Sequence, residues 1–274
     1  MKKKLLHSAA ICRMTLILST VMLMTSCYFM PTYLPEPDYP EEEVEDWEYS
    51  NLHYPNSAHV FYKAATDGSG HIYDAVQIGN QVWLTENLRT GLFSQDTTTF
   101  LNRATPTQCA SSTEPCYWPG FDAKSGEPHP GFIYNYAAVT FGEGNQGPCP
   151  NGWHVPSKAD WDELKNYMFS QPMYGYQDCN ECIAKALCWA SDVWNDENSS
   201  EGTPGNNWAS NNASGFSAVP SHGPGSRWCS FFWSTTKTND TMAYIYTLSS
   251  WETIFDFESA KTNRDMHSIR CIRD

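Results

Sequence analysis

Apolar residues recur at Trp161, Leu164 and Met168, three and four positions apart, while Lys158, Asp162 and Lys165 fall between them. That period puts one apolar stripe on one helix face, and such a stripe must cover a core. The start of the helix is also marked. Pro156 lies just outside, Ser157 can cap, and Asp160 three residues on completes a Ser-x-x-Asp capping box. The preceding Gly152-Trp153-His154-Val155 reads as a short buried strand that runs into the cap. Elsewhere the period is two. Ala58 to Lys63 reads as a first strand, residues 66 to 70 as a turn, and Ile72 to Ile78 alternates before Gly79-Asn80, a two-residue hairpin signal answered by Gln81 to Leu84. Gly131 to Val139 leads into a short helix, and Ile183 to Trp189 predicts another. The last fifty residues predict antiparallel strands at 231–234, 242–248, 252–257 and 267–272. In the second of these, Tyr244, Tyr246 and Leu248 share one face and Ala243, Ile245 and Thr247 the other, so one face is expected to be core and one surface.

Of the 274 residues 41% are hydrophobic and 14% aromatic, which is ample for a core, and 17 Gly with 17 Pro point to a loop-rich domain over a helical bundle. The net charge is −14, with no basic run beyond Lys2, Lys3 and Lys4, which argues against a nucleic-acid partner. Those lysines, followed by the mostly apolar run from Ile11 to Met24, read as a signal peptide over 1–26. Met24-Thr25-Ser26-Cys27 resembles a bacterial lipobox, with Cys27 as the acylated residue and a lipid anchor as the membrane partner. Residues 27–56, with five prolines, six acids in the run from Glu41 to Glu48 and no Lys or Arg, read as an extended acidic tether. The remaining 57–274 is then one domain, displayed at the cell envelope, on the outer membrane of a Gram-negative bacterium.

Cys149-Pro150-Asn151-Gly152-Trp153-His154-Val155-Pro156-Ser157, followed by Trp161, resembles the signature of the Fibrobacter succinogenes major paralogous domain family. Further blocks match in order: Tyr73 to Arg89, Tyr134 to Val139, Gly215 to Pro220, Phe232 to Thr235, and the closing Ser268 to Asp274. The resemblance covers roughly residues 59 to 274. It implies an α+β, C-type-lectin-like fold with short antiparallel strands, two to three short helices and long loops, related to formylglycine-generating enzymes. It implies no particular reaction.

With Cys12 cleaved away and Cys27 acylated, eight cysteines remain, an even number that favours disulfides in an exported chain. Family position implies Cys149 with Cys271, and Cys109 with Cys116 is the expected local pair, clipping a long insertion over residues 91 to 130. Cys179, Cys182, Cys188 and Cys229 are left to pair among themselves. Cys179-x-x-Cys182 also has a redox or zinc reading, but no second such motif or His pair accompanies it. A thiol oxidase of the formylglycine-generating type is the alternative function. Against it, the last eighty residues offer only Cys229 and Cys271, and the Gly-Gly-Ser-Trp core of those enzymes is missing near Arg227 and Trp228. No Gly-x-Ser-x-Gly elbow is present, His154 reads as a hydrogen-bonded core histidine, and Glu86 with Arg89 as a structural ion pair.

The favoured function is binding of a carbohydrate or protein ligand, without catalysis and without a required cofactor; a purely structural surface protein is the third class. The expected ligand residues are Trp189, Trp194, Asn195, Asp196 and Trp208 in the loop after the second helix, with Tyr244, Tyr246 and Trp251 from the terminal strands. Trp194-Asn195-Asp196 resembles the calcium tripeptide of sugar-binding C-type lectins, although no Glu-Pro-Asn partner exists. Asp192, Asp196, Asn198 and Glu201 are the calcium candidates, at a spacing that is not that of an EF-hand.

Overall fold

The computed structural model describes residues 54–55, 57–95, 101–110, 112–119, 129–221 and 228–274. The expected signal peptide, Cys27 and nearly all of the tether lie outside the described residues. The strands are β1 (His59–Thr66), β2 (Ile72–Ile78), β3 (Gln81–Leu84), β4 (Asn102–Arg103), β5 (Cys116–Trp118), β6 (Ile133–Tyr134) and β7 (Trp153–His154), then β8 (Cys229–Asn239), β9 (Met242–Ser249), β10 (Asp256–Lys261), β11 (His267–Ser268) and β12 (Ile272–Arg273). The α-helices among the described residues are α1 (Pro106–Ala110), α2 (Tyr136–Val139), α3 (Lys158–Phe169) and α4 (Ala184–Leu187), so the fold is α+β with strands dominant.

Two sheets form, with strand orders β1-β2-β3-β12-β7 and β10-β9-β8-β11-β6-β5-β4. The expected hairpin closes at Gly79-Asn80, pairing Ile78 with Gln81 and Gln77 with Val82. Gly79 is needed twice over. Its φ is +64°, and a Cβ there would sit 2.8 Å from the Tyr167 ring of α3. Helix α3 starts as its sequence dictates: Ser157 accepts from the Asp160 amide, and the Asp160 carboxylate accepts from the Ser157 amide at 2.7 Å. His154 is half-buried between two acids, 3.7 Å from Asp160 and 2.6 Å from Asp274, and its hydrogen bond to Asp160, ahead of that to Asp274, raises its pKa. It ties the chain end to the helix cap, a structural role.

Alternate residues of the strands feed two apolar clusters, one on each side. Tyr73, Ala75, Val82, Leu84, Trp233, Ala243 and Ile245 belong to one. Val76, Ile78, Trp83, Phe232, Tyr246 and Leu248 join Trp161, Leu164 and Met168 of α3 in the other. The expectation of a surface face on β9 is therefore corrected. Helix α3 lies over that face, with Trp161 stacked on Tyr246 at 5.1 Å, and only the Tyr246 hydroxyl reaches the rim, where it donates to Asp162 at 2.7 Å.

The predicted strand at 252–257 is also shifted. Phe255 turns into the core against Trp161 and Tyr246, and the Thr253 carbonyl accepts from the Ala184 amide, so pairing with β9 begins only at Asp256 opposite Thr247. The closing strand is split because the chain changes sheets between β11 and β12. The residues of that crossing are Ile269, Arg270 and Cys271, all fully buried. Cys271 is joined to Cys149. The Arg270 guanidinium donates to Asn87 Oδ1 from Nε (3.1 Å) and Nη2 (2.7 Å), to Leu84 O (3.0 Å) and to Phe216 O, and its centre lies 4.4 Å from the Phe216 ring. Burial pushes its pKa down to about 9, so it is charged at neutral pH.

His267 of β11 packs against Trp233 and Phe231, and its Nε2 is buried without a hydrogen-bond partner. Burial pushes its pKa down from 6.5 to about 4, opposed by nearby Asp265. Between those values the unfolded chain binds a proton that the folded one refuses, so stability falls with falling pH, by about 3 kcal/mol over the window. Urea unfolding from pH 7 to 4.5 should show this slope in the wild type and lose most of it in His267→Phe; an unchanged slope in the variant would assign it elsewhere.

Candidate functional site

The long loop between α3 and β8 is built on α4. Cys188 just after α4 bridges to Ala218 in parallel, and the Trp194 indole donates to the Ala218 carbonyl at 3.0 Å. The remaining turns wrap around one charge. The Lys185 ammonium donates to Thr203 O (3.4 Å), Asn206 O, Asn207 O (2.9 Å) and Asn211 Oδ1 (2.9 Å). Half-buried, it has its pKa lowered by desolvation. Three carbonyls and an amide oxygen converging on one cation resemble an ion site, and here the protein supplies the cation itself.

The calcium candidates do not converge. Asp196 accepts from the Asn198 amide at 3.0 Å and faces Ser250 Oγ at 3.4 Å. Glu201 accepts from the Tyr176 hydroxyl at 3.1 Å, and Asp192 is engaged with Ser191. Among the described residues no group of three or more His, Cys, Asp or Glu gathers in a way that could hold a metal ion.

The aromatic candidates divide by exposure. Trp194 and Tyr246 are fully buried and are corrected to core residues, because each ring is packed in the α3-side cluster and offers no face to a ligand. Trp189 and Trp208 are half-buried, the latter packed on the same cluster. Tyr244 is half-buried beside Phe257, with the Lys158 ammonium 5.4 Å above its ring. Asn195 is exposed, and Trp251 is 49% exposed. Sequence reasoning missed two neighbours of Trp251. Trp228 is 40% and Ile254 44% exposed, and the Trp228 carbonyl accepts from the Ser250 amide, which sets Trp228 beside the turn that carries Trp251. In the structure Cys229 pairs with Ser249, and extending that register by one residue aligns Trp228 with Ser250; no sequence signal gives this register. The same turn is fastened to the long loop, with Ser250 O accepting from the Gly205 amide and from Ser199 Oγ, both at 2.8 Å.

Cys109 is bonded to Cys116 and Cys149 to Cys271, as expected. The other four cysteines do not form two pairs: Cys179 bonds Cys182, while Cys188 is a buried thiol and Cys229 a half-buried one. Burial, with Glu252 and Glu258 nearby, pushes the Cys229 thiol up to about 11. Glu86 and Arg89 approach to 4.0 Å with His71 between them. Arg89 Nη2 donates to His71 Nδ1 at 2.9 Å, and because a guanidinium cannot accept, the ring proton is on Nε2, facing Glu86 at 3.4 Å. Burial raises the Glu86 pKa, but the His71 bond and the Arg89 and Arg270 charges outweigh it and hold the pKa low.

Fold and site together define an α+β domain that presents an aromatic, acidic end on a loop filled by its own lysine. The chain belongs to the Fibrobacter succinogenes major domain family, which it matches over residues 76–273. No curated protein and no solved structure matches it.

Lys185→Met keeps the stem and removes the cation, leaving four acceptors without their donor. Unfolding free energy should fall by about 2 kcal/mol, and amides over residues 203–211 should exchange faster with solvent. Unchanged exchange there would show that the loop is held by other contacts.

Proposed function

We propose that this chain is a non-catalytic binding protein of the bacterial envelope, which takes a carbohydrate or protein ligand at the end of the β8–β9 hairpin. The observation that carries the reading is Trp251, 49% exposed on the turn after β9, whose preceding residue Ser250 donates its amide to the carbonyl of Trp228, itself 40% exposed. The exposed part of the Trp251 indole can be buried by a ligand that stacks on it. Exposed Asn195, Glu197 and Glu252 lie on the same loop and turn, and their oxygens and amide can hydrogen-bond hydroxyls or basic side chains.

A C-type-lectin-like arrangement belongs to this reading. It is supported by the place of the long loop, between α3 and the β8–β9 hairpin, where such folds carry their ligand loops. Anchoring by an acylated Cys27 at the outer membrane, facing outward, is supported by the residues of the leader and tether. The thiol-oxidase alternative has less support, since Cys271 is bonded to Cys149 and the Cys229 thiol is held protonated. A purely structural surface role is the reading that remains if no ligand is found.

The test is capture of polysaccharides and solubilised envelope proteins by immobilised protein. Trp228→Ala with Trp251→Ala should abolish capture while the domain stays folded, at a cost of about 1–2 kcal/mol per site for the buried half of each indole. Trp194→Ala should instead cost about 3–5 kcal/mol. Capture that survives the double change would sink this placement.

A further inference from the structure

The Cys179–Cys182 disulfide differs from its two companions. Cys109, Cys116, Cys149 and Cys271 are all at most 1% exposed, whereas Cys179 is exposed and Cys182 half-buried. It also closes the shortest loop, a separation of 3 residues against 7 and 122, so it removes the least entropy from the unfolded chain. The turn that carries it is fastened without it. Tyr176 and Cys179 exchange two backbone hydrogen bonds, at 3.1 and 3.0 Å, the Cys182 amide donates to Cys179 O, and Tyr176 is held by Glu201. A bond that contributes little to the fold and faces solvent is free to open and close without unfolding its surroundings.

We propose that Cys179–Cys182 is a thiol–disulfide exchange site that accepts two electrons from a dithiol in neutral or positively charged surroundings. Attack falls on Cys179, the exposed sulfur. The partner thiolate forms a bond to Cys179 Sγ, the Cys179–Cys182 bond breaks, and its electron pair leaves on Cys182 Sγ, which takes a proton from water. The partner's second thiolate then attacks its own sulfur in the mixed disulfide and releases the Cys179 thiolate, which is protonated. The partner leaves oxidised to a disulfide, and the protein holds two thiols.

The preference for the partner's charge follows from the surroundings. Asp178 and Glu181 each immediately precede one of the two cysteines and are exposed, and no Lys or Arg occurs from Gln171 to Ala184. An anionic thiolate that approaches with further carboxylates of its own is repelled, and one that carries an ammonium is drawn in. Neither Cys188 nor Cys229 competes, because burial holds both thiols protonated.

The experiment treats the full chain, folded and oxidised, with cysteamine or with glutathione at matched thiolate concentration, quenches by alkylation and maps the labelled peptides. Label should appear at Cys179 and Cys182 at least ten times sooner than at the other four bonded cysteines. Cysteamine should react several-fold faster than glutathione at low salt. That ratio should fall towards one in high salt, and in the Asp178→Asn, Glu181→Gln variant. A dithiol peptide incubated with the oxidised chain should become a disulfide, and should not with Cys179→Ser, Cys182→Ser. Opening of this bond no sooner than the buried ones would overturn the site, and a rate indifferent to thiol charge would overturn the assigned partner class.

Discussion

A guanidinium with no access to water sits where the two sheets meet, and the fold is arranged to make that tolerable. Removing a charge from water costs several kcal/mol, recovered only if each donor finds a well-placed acceptor. Arg270 finds Asn87 twice, Leu84 O and Phe216 O, and lies against the Phe216 ring. Those partners come from 54 to 186 residues away in the chain. Asn87 is itself fixed, since its amide donates to Pro130 O at 3.0 Å and Gly131, with φ +79°, passes so close that a Cβ would collide with it. The next residue, Cys271, is bonded to Cys149 just ahead of β7 and α3. One charge and one disulfide thus fasten four separated stretches at a single place, all within the span of the family match.

The position of the long loop and of the Trp251 turn follows from that anchorage. Phe216 enters the core beside Arg270, and the residues before it are laced to α4: Ser214 donates to Ala186 O at 2.7 Å, and the Asn212 amide to Lys185 O at 3.0 Å. Helix α4 therefore has a fixed position from which Lys185 gathers the loop carbonyls. The loop in turn holds Ser250 and the Trp251 turn. Rigidity at the buried crossing is passed outward through hydrogen bonds to a surface whose tryptophans are already in place.

Much of this was legible because it is local. The capping box at Ser157, the Gly79-Asn80 hairpin and the apolar stripe of α3 depend on residues within four positions of one another, and they form as the sequence says. Family position carried the Cys149–Cys271 pairing. What was not legible depends on distant packing. Nothing in the alternation of β9 tells that α3 covers the Tyr246 face, so a tyrosine expected at the ligand is a core residue. Trp194 reads like a loop aromatic until its indole is seen to donate to Ala218. Arg270 lies in a recognisable closing motif, but an arginine beside a cysteine says nothing of a partner 183 residues earlier. The calcium candidates show the same limit: Asp196 accepts from the Asn198 amide and Glu201 from the Tyr176 hydroxyl, partners that the spacing of acids along the loop does not announce.

Arg270 and Asn87 act as one unit that joins the ends of the domain, and a double-mutant cycle measures their coupling. Urea unfolding of the wild type, Arg270→Met, Asn87→Ala and the double variant gives the coupling energy between them. A coupling of about 2 kcal/mol or more is expected, because once either partner is lost the other is left buried without its bonds. Effects that add to within about 0.5 kcal/mol would contradict it and would make the two residues independent parts of the core.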